Sequence, residues 1–138
     1  MKYPIKGECQ CGQVSYLLHQ APNKVLACHC TDCQKLSSSP FSVTAIVDAK
    51  QIEFSGELAS WERVAQSGNR NRGAFCPNCG VRIYQINPDA PNLIKLKLKP
   101  IDADQGDVFK PQAHVWVSEK LDWYQLPSDV KAFDKGMK

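Results

Sequence analysis

The stretch that decides the interpretation of this chain reads Cys28-His29-Cys30-Thr31-Asp32-Cys33. Its three cysteines, called the triad here, can hold one metal ion together. Three protein ligands leave a tetrahedral ion with one open position, which is typical of catalytic rather than structural zinc. The sequence therefore predicts a catalytic or labile zinc at Cys28, Cys30 and Cys33. The alternative is a second structural site that is closed by His29 or His114.

Two further cysteine pairs, Cys9 with Cys11 and Cys76 with Cys79, are predicted to share a structural zinc ion. Side chains two apart in an extended segment point to the same face, so the first pair can bind one ion. The second pair is a C-x-x-C followed by glycine, which turns both thiols inward. Pairing these four leaves the triad intact. The alternatives are that the first two triad cysteines are the partners, or that the thiols carry no metal.

Length and composition favour one domain in a reducing compartment. The 138 residues suffice for one core, and we predict a single zinc-binding domain over 7–126 with a loosely held C-terminal tail over 127–138. No apolar run resembles a signal peptide or a membrane span. Seven cysteines cannot all pair within one chain, and closely spaced cysteines in the cytoplasm are typically metal ligands. We therefore expect a cytoplasmic protein with no membrane partner.

The charge pattern argues against a nucleic-acid partner. The formal charge is +3, but it counts cysteine as neutral. Seven thiolates with two zinc ions would bring it to about zero. Lys and Arg are also scattered along the chain. The alternating segment 93–99 places Lys95, Lys97 and Lys99 on one face of a predicted strand, which we expect to be solvated.

Short β-rich segments dominate the remaining sequence. A short helix is predicted over 32–36, with Thr31 and Gln34 as a capping box. A polar, glycine-bearing loop is predicted over 67–73. The predicted strands cover 14–18, 24–27, 41–47, 51–54, 60–65, 82–86, 93–99 and 114–117.

The cysteine motifs resemble one known family. The motifs are Cys9-Gln10-Cys11-Gly12, the triad stretch, and Phe75-Cys76-Pro77-Asn78-Cys79-Gly80, followed by His114-Val115-Trp116-Val117 and Leu121-Asp122-Trp123-Tyr124. In order and spacing they are similar to the glutathione-dependent formaldehyde-activating enzyme family, which includes centromere protein V. The resemblance implies a mainly β, Mss4-like fold of several coiled antiparallel sheets with few short helices. It also implies a structural zinc at the outer four cysteines and a labile zinc at the triad.

The resemblance further implies carbon–sulfur bond formation or cleavage, as in the addition of the glutathione thiol to formaldehyde. This chain departs from the family pattern at Gln34 and Ser38, where the family usually has arginine and glycine. An arginine there could pair with a carboxylate of glutathione, so the identity of the thiol stays open. Arg70 and Arg72 could do so instead, although solvated loop charges are the simpler interpretation.

The predicted function is a zinc-dependent carbon–sulfur lyase that acts on a thiol adduct of a small aldehyde or other electrophile. Its catalytic residues would be Cys28, Cys30 and Cys33, and a small thiol such as glutathione would be its partner. Association into a homo-oligomer is left open. The alternatives are a non-catalytic zinc-binding module for nucleic acid or protein, and a thiol redox or metal sensor.

Overall fold

The computed structural model describes residues 3–137 and shows a mainly β protein, which confirms the predicted fold class. Eleven strands, one α-helix and three 3-10 helices form within these residues. The strands are β1 (Ile5–Glu8), β2 (Ser15–Leu18), β3 (Lys24–Cys28), β4 (Ser42–Asp48), β5 (Ile52–Ser55), β6 (Ala59–Val64), β7 (Arg70–Phe75), β8 (Arg82–Ile86), β9 (Leu93–Leu96), β10 (Ala113–Val115) and β11 (Lys131–Ala132). The helix α1 spans Thr31–Ser37, and the 3-10 helices span Ala49–Gln51, Ala103–Phe109 and Val117–Glu119.

The strands form a small sheet and a large sheet. The small sheet has the order β1-β2-β5 and is antiparallel throughout. The large sheet has the order β11-β10-β3-β4-β9-β8-β7-β6. Its pairs are antiparallel except that β10 runs parallel to both β3 and β11. Strand β10 lies beside β3, and its last residue, Val115, pairs with Cys28 of the triad.

The core forms where β1, β2 and β5 of the small sheet meet the middle of the large sheet. Strand residues alternate between the two faces of a sheet, so Leu18 is fully buried while its neighbour Leu17 is 38% exposed. The Tyr16 hydroxyl donates a hydrogen bond to the Leu98 carbonyl at 2.8 Å, which joins the small sheet to the segment after β9. The buried members of this core are Ile5, Tyr16, Leu18, Val25, Ala45, Val47, Ile52, Ile94, Leu96 and Phe109.

The predicted capping box is wrong, although the helix itself forms at the predicted place. The N-cap of α1 is Cys30, whose sulfur accepts a hydrogen bond from the Cys33 N–H. The Thr31 N–H instead donates to the Glu119 carboxylate at 2.9 Å. A thiol acceptor and a residue from far along the chain thus replace the local pair, because tertiary partners outcompete a local capping pattern.

The predicted lysine row is also wrong. Strand β9 ends at Leu96, and the next two N–H groups, of Lys97 and Leu98, both donate to the Ile83 carbonyl. This irregularity breaks the alternation, so Leu96 and Lys97 are both buried while Lys95 stays exposed. Only part of the row is therefore a solvated face.

Two segments expected to be irregular take part in the large sheet. Strand β7 begins at Arg70, inside the predicted loop over 67–73, because that part of the chain pairs with β6. The tail, described as far as residue 137, contributes β11 and donates the Phe133 N–H to the His114 carbonyl at 2.9 Å. It is thus hydrogen-bonded to the domain, contrary to the expectation that it is loosely held.

The alternation in β2 predicts a contrast between neighbouring leucines. Leu18→Ala should lower the free energy of unfolding by roughly 2–5 kcal/mol, because it leaves a cavity in the core. Leu17→Ala should change it by no more than about 0.5 kcal/mol. Urea unfolding measures both. Equal effects of the two substitutions would show that the register of β2 is wrong.

Candidate functional site

The outer four cysteines lie in two hairpin turns, one from each sheet. Cys9 and Cys11 occupy the turn between β1 and β2, and Cys76 and Cys79 occupy the turn between β7 and β8. Their four sulfur atoms lie within 4.8 Å of one another. The Sγ atoms of Cys9 and Cys11 are 3.7 Å apart, and those of Cys11 and Cys76 are 3.6 Å apart. Zinc–sulfur bonds of ~2.3 Å give a tetrahedral edge of ~3.8 Å, so this donor set fits zinc.

Backbone N–H groups donate to thiols of this group, whereas burial raises the pKa of Cys76 to about 11. The Val14 N–H donates to Cys9 Sγ at 3.3 Å, and the Cys79 N–H approaches Cys76 Sγ at 3.5 Å. The pKa of the Cys79 thiol is lowered to about 6, first by the Val81 N–H and then by the Cys11 N–H. Gly80 permits this turn, because its backbone lies in the left-handed region with φ of 81°.

The triad cysteines come together where β3 ends and α1 begins. Cys28 is the last residue of β3, Cys30 is the N-cap of α1, and Cys33 lies in its first turn. Their sulfur atoms lie within 4.8 Å of one another. The pKa of the Cys30 thiol is lowered, above all by a hydrogen bond from the Cys28 thiol and then from Cys33. The Cys28 thiol, which donates that bond, has a raised pKa. Hydrogen bonds within the group thus favour a thiolate at Cys30.

The two histidines considered as a fourth triad ligand bind each other instead. His29 is fully buried, and its Nε2 lies 2.8 Å from Nδ1 of His114. Phe41 and Tyr124 pack against both rings. Burial, followed by the neighbouring His114, lowers the pKa of His29 to about 4, so the ring is neutral at pH 7. Neither imidazole joins the sulfur atoms of the triad, which leaves the group with three ligands.

Gln34 and Ser38, the two departures from the family pattern, have structural explanations. The Gln34 amide donates to the His29 carbonyl at 2.8 Å and to the Glu119 carbonyl at 3.0 Å, so both of its hydrogens are used. Gln34 therefore anchors the triad loop. Ser38 follows the end of α1 with φ of 50°, a left-handed conformation that glycine adopts more easily.

A cavity of about 350 Å³ lies in front of the triad, and all three of its thiols line it. This volume is within the ~300–1,000 Å³ range of small-molecule sites. Apolar walls come from Leu26, Leu36, Ile46, Val115 and Trp116. Arg63, Lys95 and Lys97 add cationic groups to the lining, and Asp32 and Glu119 add carboxylates. No cysteine of the outer group lines this cavity.

The arginines that the sequence suggested for a carboxylate lie elsewhere. Arg70 pairs with Glu62 and Asp89, each at 3.0 Å, and Arg72 also pairs with Glu62 at 3.0 Å. Neither arginine lines the triad cavity, whereas Arg63 does and lies 3.1 Å from Asp32. The pairing of β6 with β7 brings Arg63 to the cavity, which no local motif reveals.

Lys97 is the functional candidate that the sequence pattern missed. Its side chain is only 9% exposed, and its Nζ donates to Ser42 Oγ at 3.0 Å and Thr44 Oγ1 at 2.6 Å. Burial lowers the pKa of this ammonium, while the nearby triad thiolates, Cys33 above all, act in the opposite direction. The alternation of residues 93–99 predicted that Lys97 faces solvent, so no sequence pattern indicated that this lysine is buried at the cavity.

The fold and the site together define a small, mainly β protein with two separate cysteine groups that have the geometry of metal sites. Comparison with known proteins agrees with this class. The sequence pattern of the family described as "Glutathione-dependent formaldehyde-activating enzyme" matches residues 4–119. The chain therefore belongs to the glutathione-dependent formaldehyde-activating enzyme family, and its resemblance to that family is confirmed.

Individual relatives are more distant. A protein of Halomonas elongata named "Putative glutathione-dependent formaldehyde-activating enzyme" is 23% identical over 134 residues, which cover 90% of this chain and 82% of the relative. The crystal structure of a Rhodobacter sphaeroides protein superposes with a TM-score of 0.54 at 15% identity, covering 94% of this chain and 99% of that one. The latter supports the small β-rich, Mss4-like fold.

Within residues 3–137, no helix combines the length and apolar character that crossing a bilayer requires.

The hydrogen bonds of Gln34 lead to a testable prediction about the triad loop. Gln34→Ala should lower the free energy of unfolding by roughly 1–3 kcal/mol, because two backbone carbonyls lose their donor. Lys35→Ala is the matched control, since Lys35 is the exposed next residue of α1, and it should change stability by about 0.5 kcal/mol or less. Urea unfolding measures both variants, and a Gln34→Ala protein as stable as the control would contradict the anchoring role.

Proposed function

We propose that this protein is a zinc-dependent carbon–sulfur lyase of the formaldehyde-activating type, acting on the adduct of a small thiol with formaldehyde or another small electrophile. The observation that carries the proposal is that the seven cysteines form two separate groups, one of four and one of three. Three of them line one cavity, while the other four lie together in two hairpin turns away from it. Family membership supports the same activity.

The residues of the triad fit a metal with an open position. Three sulfur atoms within 4.8 Å of one another offer three ligands, and no fourth side chain among the described residues joins them. Cys28, Cys30 and Cys33 would hold the zinc and are the proposed catalytic residues. Zinc in such a site supplies a coordination position at which the sulfur of an incoming thiol is held as thiolate. Cys9, Cys11, Cys76 and Cys79 would hold the second, structural zinc.

The cavity provides what the reaction needs from the protein. Leu26, Ile46 and Val115 form an apolar wall that excludes bulk water from the substrate sulfur. In the forward direction, the thiolate sulfur adds to the carbonyl carbon, and the π electrons of the C=O bond move to oxygen. The resulting alkoxide takes a proton from water. In the reverse direction the carbon–sulfur bond breaks and the aldehyde leaves.

Glutathione is the thiol we propose, on the basis of the family and of the charges around the cavity. Its carboxylates would meet Arg63 and Lys95 at the cavity wall rather than Gln34, whose amide hydrogens are already used. The seven free thiols are also consistent with function in the reducing cytoplasm.

Cysteine substitutions in the two groups test this division. Cys30→Ser should lower the zinc content from about two to about one per chain and reduce turnover at least ~100-fold, because it removes a ligand of the reactive site. The free energy of unfolding should change little. Turnover is measured as the acceleration of S-hydroxymethylglutathione formation over the uncatalysed rate.

The matched control is Cys76→Ser in the structural group. It should lower the free energy of unfolding by roughly 3 kcal/mol or more, since loss of a structural metal is among the most destabilising changes. Unchanged turnover in Cys30→Ser, or equal destabilisation by both substitutions, would refute the proposed division of roles.

A further inference from the structure

The cavity in front of the triad contains a buried cation without an acidic partner. Lys97 is 9% exposed, and no carboxylate of residues 3–137 forms an ion pair with it. Lysine is rarely buried unless it is paired, because removing an ammonium from water is costly. The buried Lys97 ammonium therefore requires a nearby anion, which either the protein or a bound substrate supplies.

The local structure positions this ammonium firmly. The shared acceptor of the Lys97 and Leu98 N–H groups, the Ile83 carbonyl, turns the side chain into the protein. Two hydroxyls of β4, those of Ser42 and Thr44, then accept hydrogen bonds from Nζ. An ammonium has three donors, so these two contacts leave one N–H for a further acceptor.

The cavity that Lys97 lines offers space for such an acceptor. The side chain lines the same cavity as the three triad cysteines. A substrate whose sulfur is held at the triad would place its reacting carbon beside Lys97. The oxygen on that carbon becomes negatively charged when the thiolate adds.

We propose that Lys97 is a catalytic residue that binds the negatively charged oxygen next to the substrate sulfur in the triad cavity. This inference rests on the proposed function, and it identifies Lys97 as the group that binds the charge formed on the substrate oxygen. As the carbon–sulfur bond forms, the C=O π electrons move to oxygen, and the alkoxide accepts a hydrogen bond from Lys97 Nζ. Water then gives that oxygen its proton, which balances the proton that the thiol released to solvent when it became a thiolate. Fixed donors at a developing oxyanion act without reorganisation.

The other cations of the cavity are less suited to this role. Lys95 is exposed, so water screens its charge. Arg63 is already paired with Asp32 at 3.1 Å. Both are consistent with holding the outer part of a thiol substrate, whereas Lys97 is the buried one.

Two small thiols test the proposal without relying on turnover. Thioglycolate carries a carboxylate one carbon from its sulfur, and 2-mercaptoethanol carries a neutral hydroxyl instead. Isothermal titration of the zinc-loaded protein at fixed pH should show thioglycolate binding at least ~10-fold more tightly. Lys97→Met should reduce this preference to about one, and the control Lys50→Met, which removes an exposed lysine outside the cavity, should retain it.

Turnover gives the second readout. Lys97→Met should lower kcat/KM for the glutathione–formaldehyde reaction by about 100-fold, as loss of an oxyanion donor does, with triad zinc retained. Should Lys97→Met lose triad zinc, the probes are compared in wild type, Lys95→Met and Arg63→Met. A preference that disappears in either variant overturns the proposal, and one that persists in all three supports Lys97, the remaining cationic residue that lines the cavity.

The outcomes separate this inference from the proposed function. Equal affinity of the wild-type protein for the two probes, or binding of neither, overturns the role of Lys97, even if the protein turns over formaldehyde adducts. A preference that survives in Lys97→Met also overturns it. A Lys97-dependent preference in a protein that has no formaldehyde turnover would instead support the anion site and refute the proposed substrate.

Discussion

The close approach of four sulfur atoms from two hairpin turns is the constraint on which the structure depends. Cys11 and Cys76 are 65 residues apart in sequence, yet their sulfur atoms lie 3.6 Å apart. One turn belongs to the small sheet and the other to the large sheet, so this contact fastens the sheets to each other at one end. Four thiolates at such distances repel one another unless a cation lies between them. A bound metal would thus couple ion binding to sheet packing.

The triad depends on the same architecture but is held differently. Cys28 ends β3 at a register where Ser42 of β4 lies on one side and Val115 of β10 on the other. The neutral His29–His114 pair lies beneath the loop, and Gln34 ties the loop to the backbone near Glu119. A strand end, a helix N-cap and the first turn of a helix hold these three thiols more firmly than a free loop would.

The sequence could predict mainly those features that depend on residues close to one another in the chain. The triad, each outer cysteine pair, the short helix after the triad and the predominance of β-structure all follow from residues near one another in sequence. The union of the two outer pairs is predicted because it leaves the triad intact. The remaining features depend on long-range pairing. Lys97 turns inward because of an irregularity against Ile83, and β7 begins inside a predicted loop because β6 pairs with it. Glu119 replaces a predicted local cap because the fold carries it to Thr31.

The parallel strand β11 also shapes the mouth of the cavity. After pairing with β10, the chain runs on so that Gly136 and Met137 contribute to the cavity wall. The Lys135 ammonium lies 5.0 Å from the centre of the Trp116 ring, which steadies this edge. Evolution could therefore alter the size of the entrance by changing a few residues at the end of the chain. Such changes would leave every sulfur in its place, so the shape of this cavity edge and the positions of the cysteines can vary independently.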